Sequence, residues 1–142
     1  LYLLDPSQFA DRAAFLAAVG ATNFDLLIID LFDEGGTALS AAEIAALKSK
    51  ANGGARLLIA YLSIGEAEDY RYYWQAQWTA AHPSWLAAEN PDWPGNYKVR
   101  YWDDGWQALI YGDPSAYLDR IISAGFDGVY LDIIDAFEYF EG

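Results

Sequence analysis

Hydrophobic positions in this chain follow two periods. Phe9, Ala13, Leu16 and Val19 recur at helical spacing. Asp5-Pro6-Ser7 reads as the start of that helix and Gly20 as its stop. Other apolar runs are short and nearly unbroken. Phe24–Asp30, Arg56–Ile64 and Gly128–Ile134 read as strands buried on both faces. Leu1–Leu4 and Lys98–Trp102 predict two further strands. Ser40-Ala-Ala-Glu43 has the form of a capping box, so a helix is expected through Leu47, closed by Asn52-Gly53-Gly54. Tyr70–Ala81 predicts a helix, and Pro83 to Asn96 a long loop. Asp113-Pro114 opens another helix, with Tyr117, Leu118, Ile121 and Ile122 on one face and Gly125 at its end.

Strands alternating with helices indicate a parallel α/β sheet. Five strands are visible, and no fixed-period repeat or linker interrupts residues 1–142, so a single domain is expected. A closed eight-stranded barrel needs about 250 residues. The chain therefore reads as a piece of a longer protein. Failing that, its sheet is open or assembled between chains. Bare strand edges and core faces in an open sheet would favour self-association.

Charge narrows the partners. With 21 acids against 8 bases the formal net charge is −13. That disfavours nucleic acid and anionic membrane surfaces. No apolar run approaches the roughly 18–20 residues of a membrane span. No leader is visible, but the first residue is Leu1 rather than Met, so export is not argued against. Cysteine is absent and His82 is the sole histidine, which leaves little for thiolate or imidazole metal sites or for a Ser-His-Asp triad. Ser63 also lacks the glycines of a nucleophile elbow. The 6 Trp and 11 Tyr residues stand out, many of them between Tyr70 and Trp106, where flat rings suit sugar faces.

Ligands bind at the carboxyl ends of strands in parallel α/β folds. Those ends carry Asp30; Tyr61, Ser63, Gly65 and Glu66, then Glu68, Asp69 and Arg71; Tyr101, Trp102 and Asp103; and Tyr130 and Asp132, then Asp135. At least four acids are thus expected on one rim. Crowded carboxylates repel, so one should hold its proton while another stays ionised. Glycoside cleavage uses such a pair. Each acid also has a plain role open to it. Asp30 could cap a turn, Asp135 could start a helix, and Arg71 could pair with Glu66 or Glu68. Trp74, Trp93 and Trp102 could simply pack. Asp132 is the hardest to explain away, since it interrupts an apolar strand.

Three segments together resemble glycoside hydrolase family 114, in its bacterial and archaeal branch. They are Ala60–Trp74 (AYLSIGEAEDYRYYW), Trp93–Asp103 (WPGNYKVRYWD) and Gly125–Asp135 (GFDGVYLDIID). The resemblance implies a (β/α)8 TIM barrel, of which this chain would be about the first two-thirds. It implies endo-α-1,4-polygalactosaminidase activity on a cationic sugar polymer, which an acidic site would suit. It implies Asp132 as the strand-end catalytic acid, with Glu66 as its partner or a subsite residue. Asp30, Tyr61, Arg71, Tyr130 and Asp135 would line the pocket; from the aromatic cluster, Trp74 and Trp102 are expected to bind substrate as well. No cofactor and no metal are expected, and a place outside the cell or in its envelope. A second acid is expected beyond Gly142.

Two other readings compete. One is a carbohydrate-binding or polysaccharide-processing protein that does not cleave. The other is a Mg²⁺ or Ca²⁺ site built from Asp30, Glu66, Asp132 and Asp135, since hard cations take oxygen ligands.

Overall fold

The computed structural model describes residues 1–3 and 6–141. Leu4 of the first expected strand and Asp5 of the expected helix start lie outside them. The strands are β1 (Tyr2–Leu3), β2 (Leu26–Ile29), β3 (Leu57–Ser63), β4 (Glu66–Glu68), β5 (Leu86–Glu89), β6 (Asn96–Val99) and β7 (Gly128–Asp132). The helices are α1 (Arg12–Gly20), α2 (Ala41–Leu47), α3 (Asp104–Ile110), α4 (Tyr117–Ala124) and α5 (Phe137–Glu141).

The strands form two separate sheets. One has four strands in the order β1-β2-β3-β7, and the other has three in the order β4-β6-β5. In the first, β1 and β2 run parallel to their neighbours, with Ile28 opposite Ile59. The second is antiparallel. This corrects the TIM-barrel expectation: a barrel abolishes sheet edges, whereas β1 and β7 are the edges of an open sheet here. The error centres on β6. It was expected at Lys98–Trp102 as a further parallel strand, and it instead joins β4 and β5. Its burial alternates, with Tyr97 and Val99 inside, as suits a sheet covered on one face.

Contacts divide the residues into two compact units. One is Leu1–Leu62 with Arg120–Tyr130; the other is Ser63–Asp119 with Leu131–Gly142.

The first unit is built on aliphatic side chains. Phe15 and Val19 of α1, Ile44 and Leu47 of α2, and Leu27, Ile29 and Leu58 of the sheet form one core with Leu39. The capping box at Ser40 and Glu43 is present in full. Glu43 also accepts from Arg12 at 2.9 and 2.5 Å, and Arg12 reaches Asp33 at 3.0 Å. Helix α1 starts later than expected. Pro6–Gln8 is an isolated 3-10 turn, and Asp11 caps the helix by accepting from the Ala14 amide at 2.8 Å. Asp127 locks the entry to β7, accepting from the Leu58 amide and from Lys48. Gly125 before it has φ +96° and ends α4 as expected. Tyr117 and Ile121 of α4 are buried, but Ile122 is exposed.

The second unit is aromatic. Tyr73, Trp78, Trp85, Tyr97, Trp106 and Tyr117 are buried; Tyr73 meets Trp106 and Trp78 meets Trp85 edge to face, while Trp85 lies tilted against Trp106. Tyr70–Ala81 is not the expected helix; it holds only a 3-10 turn at Ala76–Thr79. Its side chains are drawn to distant partners instead: Tyr72 donates to the Ser115 carbonyl, and Trp74 packs on Tyr97. The expected loop from Pro83 contains β5. Helices α3 and α5 were unforeseen. Asp103, read as a strand end, caps α3 through the Gly105 amide at 2.8 Å.

Candidate active site

Glu66 and Glu68 lie on β4, immediately after β3 ends. Ser63 fixes the turn, donating to the Glu66 carbonyl at 3.0 Å and accepting from the Glu66 amide at 3.3 Å. Pairing of β4 with β6 sets Glu66 opposite Lys98. Glu66 is 2% exposed. Its Oε1 accepts from Lys98 Nζ at 2.5 Å and from Asn90 Nδ2 at 2.8 Å. Glu68 is equally buried. Tyr70 donates to its Oε1 at 2.7 Å and Arg71 to its Oε2 at 2.5 Å. The Arg71 guanidinium lies 5.2 Å from the ring centres of both Tyr70 and Tyr117. Burial, and then the Glu68 charge, pushes the Tyr73 hydroxyl well above its usual range.

Asp132 ends β7 and is half-buried. Its carbonyl accepts from the Ile64 amide at 3.2 Å. The next residue, Ile133, has φ +56°. A β-branched side chain there is strained by about 1–3 kcal/mol, and such outliers gather at functional sites. Gly65 makes the arrangement fit. A Cβ on Gly65 would lie 2.5 Å from Ala136 Cβ and 2.7 Å from Ile133 Cγ2. Glu66 and Asp132 therefore leave from two backbone segments in direct contact.

The remaining expected residues have varied placements. Asp135 is exposed, and its carbonyl accepts from the Glu138 amide at the entry to α5. Arg71 pairs with Glu68, not Glu66. Trp74 is half-buried, with its ring 4.9 Å from Tyr97 and 5.4 Å from Trp78. Trp102 is 50% exposed and meets Tyr101 and Phe140 edge-on. Asp69 holds its proton to higher pH than usual, through partial burial and then the charge of Glu89. Asp30, Tyr61 and Tyr130 belong to the other unit. There Asp30 accepts from the Phe32 amide at 2.8 Å, in the manner of a turn cap. Tyr61 is buried on β3, and Tyr130 is exposed on β7. Among the described residues no three acidic or imidazole side chains gather as metal ligands.

Sequence reasoning missed Lys98, Asn90 and Ile133. Lys98 had a signal: Asn96-Tyr-Lys-Val alternates polar and apolar, and Lys98 opposes Glu66 as an opposite-charge cross-strand pair. Ile133 had none, because φ is invisible in a run of apolar residues.

Buried glutamates on β4 and an acid at the end of β7 are side chains of the type that glycoside cleavage uses. Comparison with known proteins makes this specific. Residues 13–142 match the family model described as Glycoside-hydrolase family GH114. The chain belongs to glycoside hydrolase family 114. Bacterial and archaeal relatives accompany it. An uncharacterized protein of Deinococcus radiodurans is 51% identical over 123 residues, covering 87% of this chain and 37% of its own length. One from Methanocaldococcus jannaschii is 46% identical, covering 85% of this chain and 33% of its own length. The chain thus spans about a third of the curated relatives it matches.

Two solved structures share the fold. The glycoside hydrolase domain of PelA from Pseudomonas aeruginosa aligns with a TM-score of 0.61 at 20% identity, over 96% of this chain and 46% of that one. Aspergillus fumigatus Ega3, solved in complex with galactosamine, aligns with a TM-score of 0.56 at 25% identity, over 84% and 43%. Among the described residues no helix is long and apolar enough to cross a membrane.

Proposed function

We propose that this chain carries part of the active site of a glycosidase that cleaves α-1,4-linked galactosamine polymers, with Asp132 and Glu66 as its carboxylate pair. One observation carries the pairing. The Ile64 amide bonds to the Asp132 carbonyl, and Gly65 seats Ile133, so the two acids sit one residue from a shared backbone contact. The substrate class rests on family membership and on the galactosamine bound by Ega3. Trp102, half exposed, is the better sugar platform; Trp74 is half-buried against Tyr97. Galactosamine polymers of this class would be met outside the cell or in its envelope, and the enzyme would work there.

In this reading one acid protonates the departing oxygen while the other attacks or activates water. Asp132→Asn should lower cleavage of a soluble galactosamine oligomer by about 10²–10⁴-fold, the usual range for one acid–base group. Its melting temperature should stay within a few degrees. A folded variant that cleaves at the parent rate removes Asp132 from the chemistry.

One observation favours a second reading, sugar binding without cleavage: the charge of Glu66 is already matched by Lys98. Calorimetry beside a product assay separates the two. Heat of binding without shortened chains supports the second.

A further inference from the structure

The first unit holds a cavity of about 170 Å³ between the segment entering α1 and the loop from β2 to α2. That is more than ten times the ~10–15 Å³ that one water needs, yet small against the about 300–1,000 Å³ of drug-sized sites. It suits one ring rather than a chain. Phe9 and Phe15, edge to face at 5.3 Å, supply an apolar wall, and Asp11, Arg12, Asp33 and Glu34 supply charge. A second void of about 10 Å³ shares Phe15 and Asp33 and reaches Asp30, just past the end of β2. The two cavities thus lie at the carboxyl ends of parallel strands, where α/β folds take their ligands.

Charge selects the ligand. All five N–H groups of Arg12 are spent on Glu43, Asp33 and the Thr37 and Ala38 carbonyls. Nothing is left there for an anion. The acids are less fully used. Asp33 accepts from Arg12 and from the Thr37 amide, and Asp11 lends one oxygen to the Ala14 amide. Glu34 is exposed and bonds to no described residue. The surplus is negative, so a cation is favoured. Among the described residues no three acidic or imidazole side chains gather as metal ligands, and a bare ion makes no use of the phenyl wall. A ring with an apolar face and an ammonium group uses both.

We propose that this pocket binds one protonated aminosugar unit, its apolar face on Phe9 and Phe15 and its ammonium beside Glu34 and Asp11. The choice of an aminosugar rests on the galactosamine reading above; the preference for an organic ammonium rests on the pocket alone.

The test titrates the full chain, followed by amide NMR, with galactosamine and with galactose, which carries a hydroxyl in place of the ammonium. Galactosamine should shift the Gly35 and Thr37 amides and bind about tenfold tighter than galactose, as two part-exposed ion pairs allow. Glu34→Gln should weaken galactosamine about three- to fivefold and leave galactose within about twofold. Phe9→Ala should weaken both sugars alike, by about threefold. Should Phe9→Ala fail to fold, Glu34→Gln decides, since its side chain is exposed. Equal affinity for the two sugars, unmoved Gly35 and Thr37 amides, or parent galactosamine binding in folded Glu34→Gln overturns the inference. A cleavage assay on the same parent separates the two readings. Cleavage without a galactosamine preference at this pocket defeats the inference alone; the preference without cleavage defeats the glycosidase reading and supports the pocket.

Discussion

The two compact units bury different chemistry. The first fills its core with Leu, Ile, Val and Phe, and the one buried charge among its described residues, Arg56, donates to neutral groups: the Thr22 hydroxyl and the Thr22 and Ser49 carbonyls. The second packs tryptophans and tyrosines around Glu66, Glu68 and Arg71, each less than 8% exposed. Burying aliphatic surface stabilises at about 25 cal/mol per Å². Burying a charge costs several kcal/mol before any partner is found. The first unit is organised for stability. The second accepts a cost, and it also holds the positive-φ Ile133.

The contrast can be broken at its charges. Arg71→Met would leave the Glu68 carboxylate buried and uncompensated, and should destabilise by about 3–5 kcal/mol in urea unfolding. Arg56→Met strands only neutral acceptors and should cost about 1–3 kcal/mol. Equal losses would mean that the buried charges of the second unit are nothing special.

Crowding sharpens the contrast next. Gly65→Ala should cost about 1–3 kcal/mol, because the methyl collides with Ile133 and Ala136. Gly128, at the other unit's β7, has 3.3 Å to Ile59 Cδ1, so Gly128→Ala should cost less. Thermal melts of the pair rank the two sites, and the reverse order would refute the tight seat at Gly65.

The smallest effect is electrostatic and belongs to the first unit. Bonds from Arg12, then Ser40, hold the Glu43 carboxyl at about 2, below its usual 4.5. Its folded value is depressed, so its stabilisation is complete above about pH 4.5 and fades as pH falls toward 2. Glu43→Gln should cost about 1 kcal/mol at pH 7, the scale of a cap with a part-exposed ion pair. The gap from the parent should close on acidification. A gap that persists at pH 2 would place the loss in packing instead.

Legibility in the sequence differed between the units for the same reason. In the first, local rules and tertiary structure agree. The capping box at Ser40, the β2 and β3 runs and Gly125 stand as expected, within a residue or two at the ends. In the second, long-range bonds override local pattern. Tyr72 and Trp74 lie in a segment that reads as helix, but they are pulled to Ser115 and Tyr97. Lys98 looks like the start of a parallel strand, yet its partners are antiparallel. The candidate acids were visible because acids in apolar strands are conspicuous; what holds them was not, since Lys98 and Asn90 lie 32 and 24 positions from Glu66.

Rates for Glu66→Gln, Asp132→Asn and the double variant, on one soluble galactosamine oligomer, probe the shared role of these two acids most directly. Members of one catalytic unit fail together: each single change should remove about 10²-fold or more, and the double should be little worse than the poorer single. Losses that multiply, or a folded single variant at full rate, would mean that Glu66 and Asp132 do not serve the same bond.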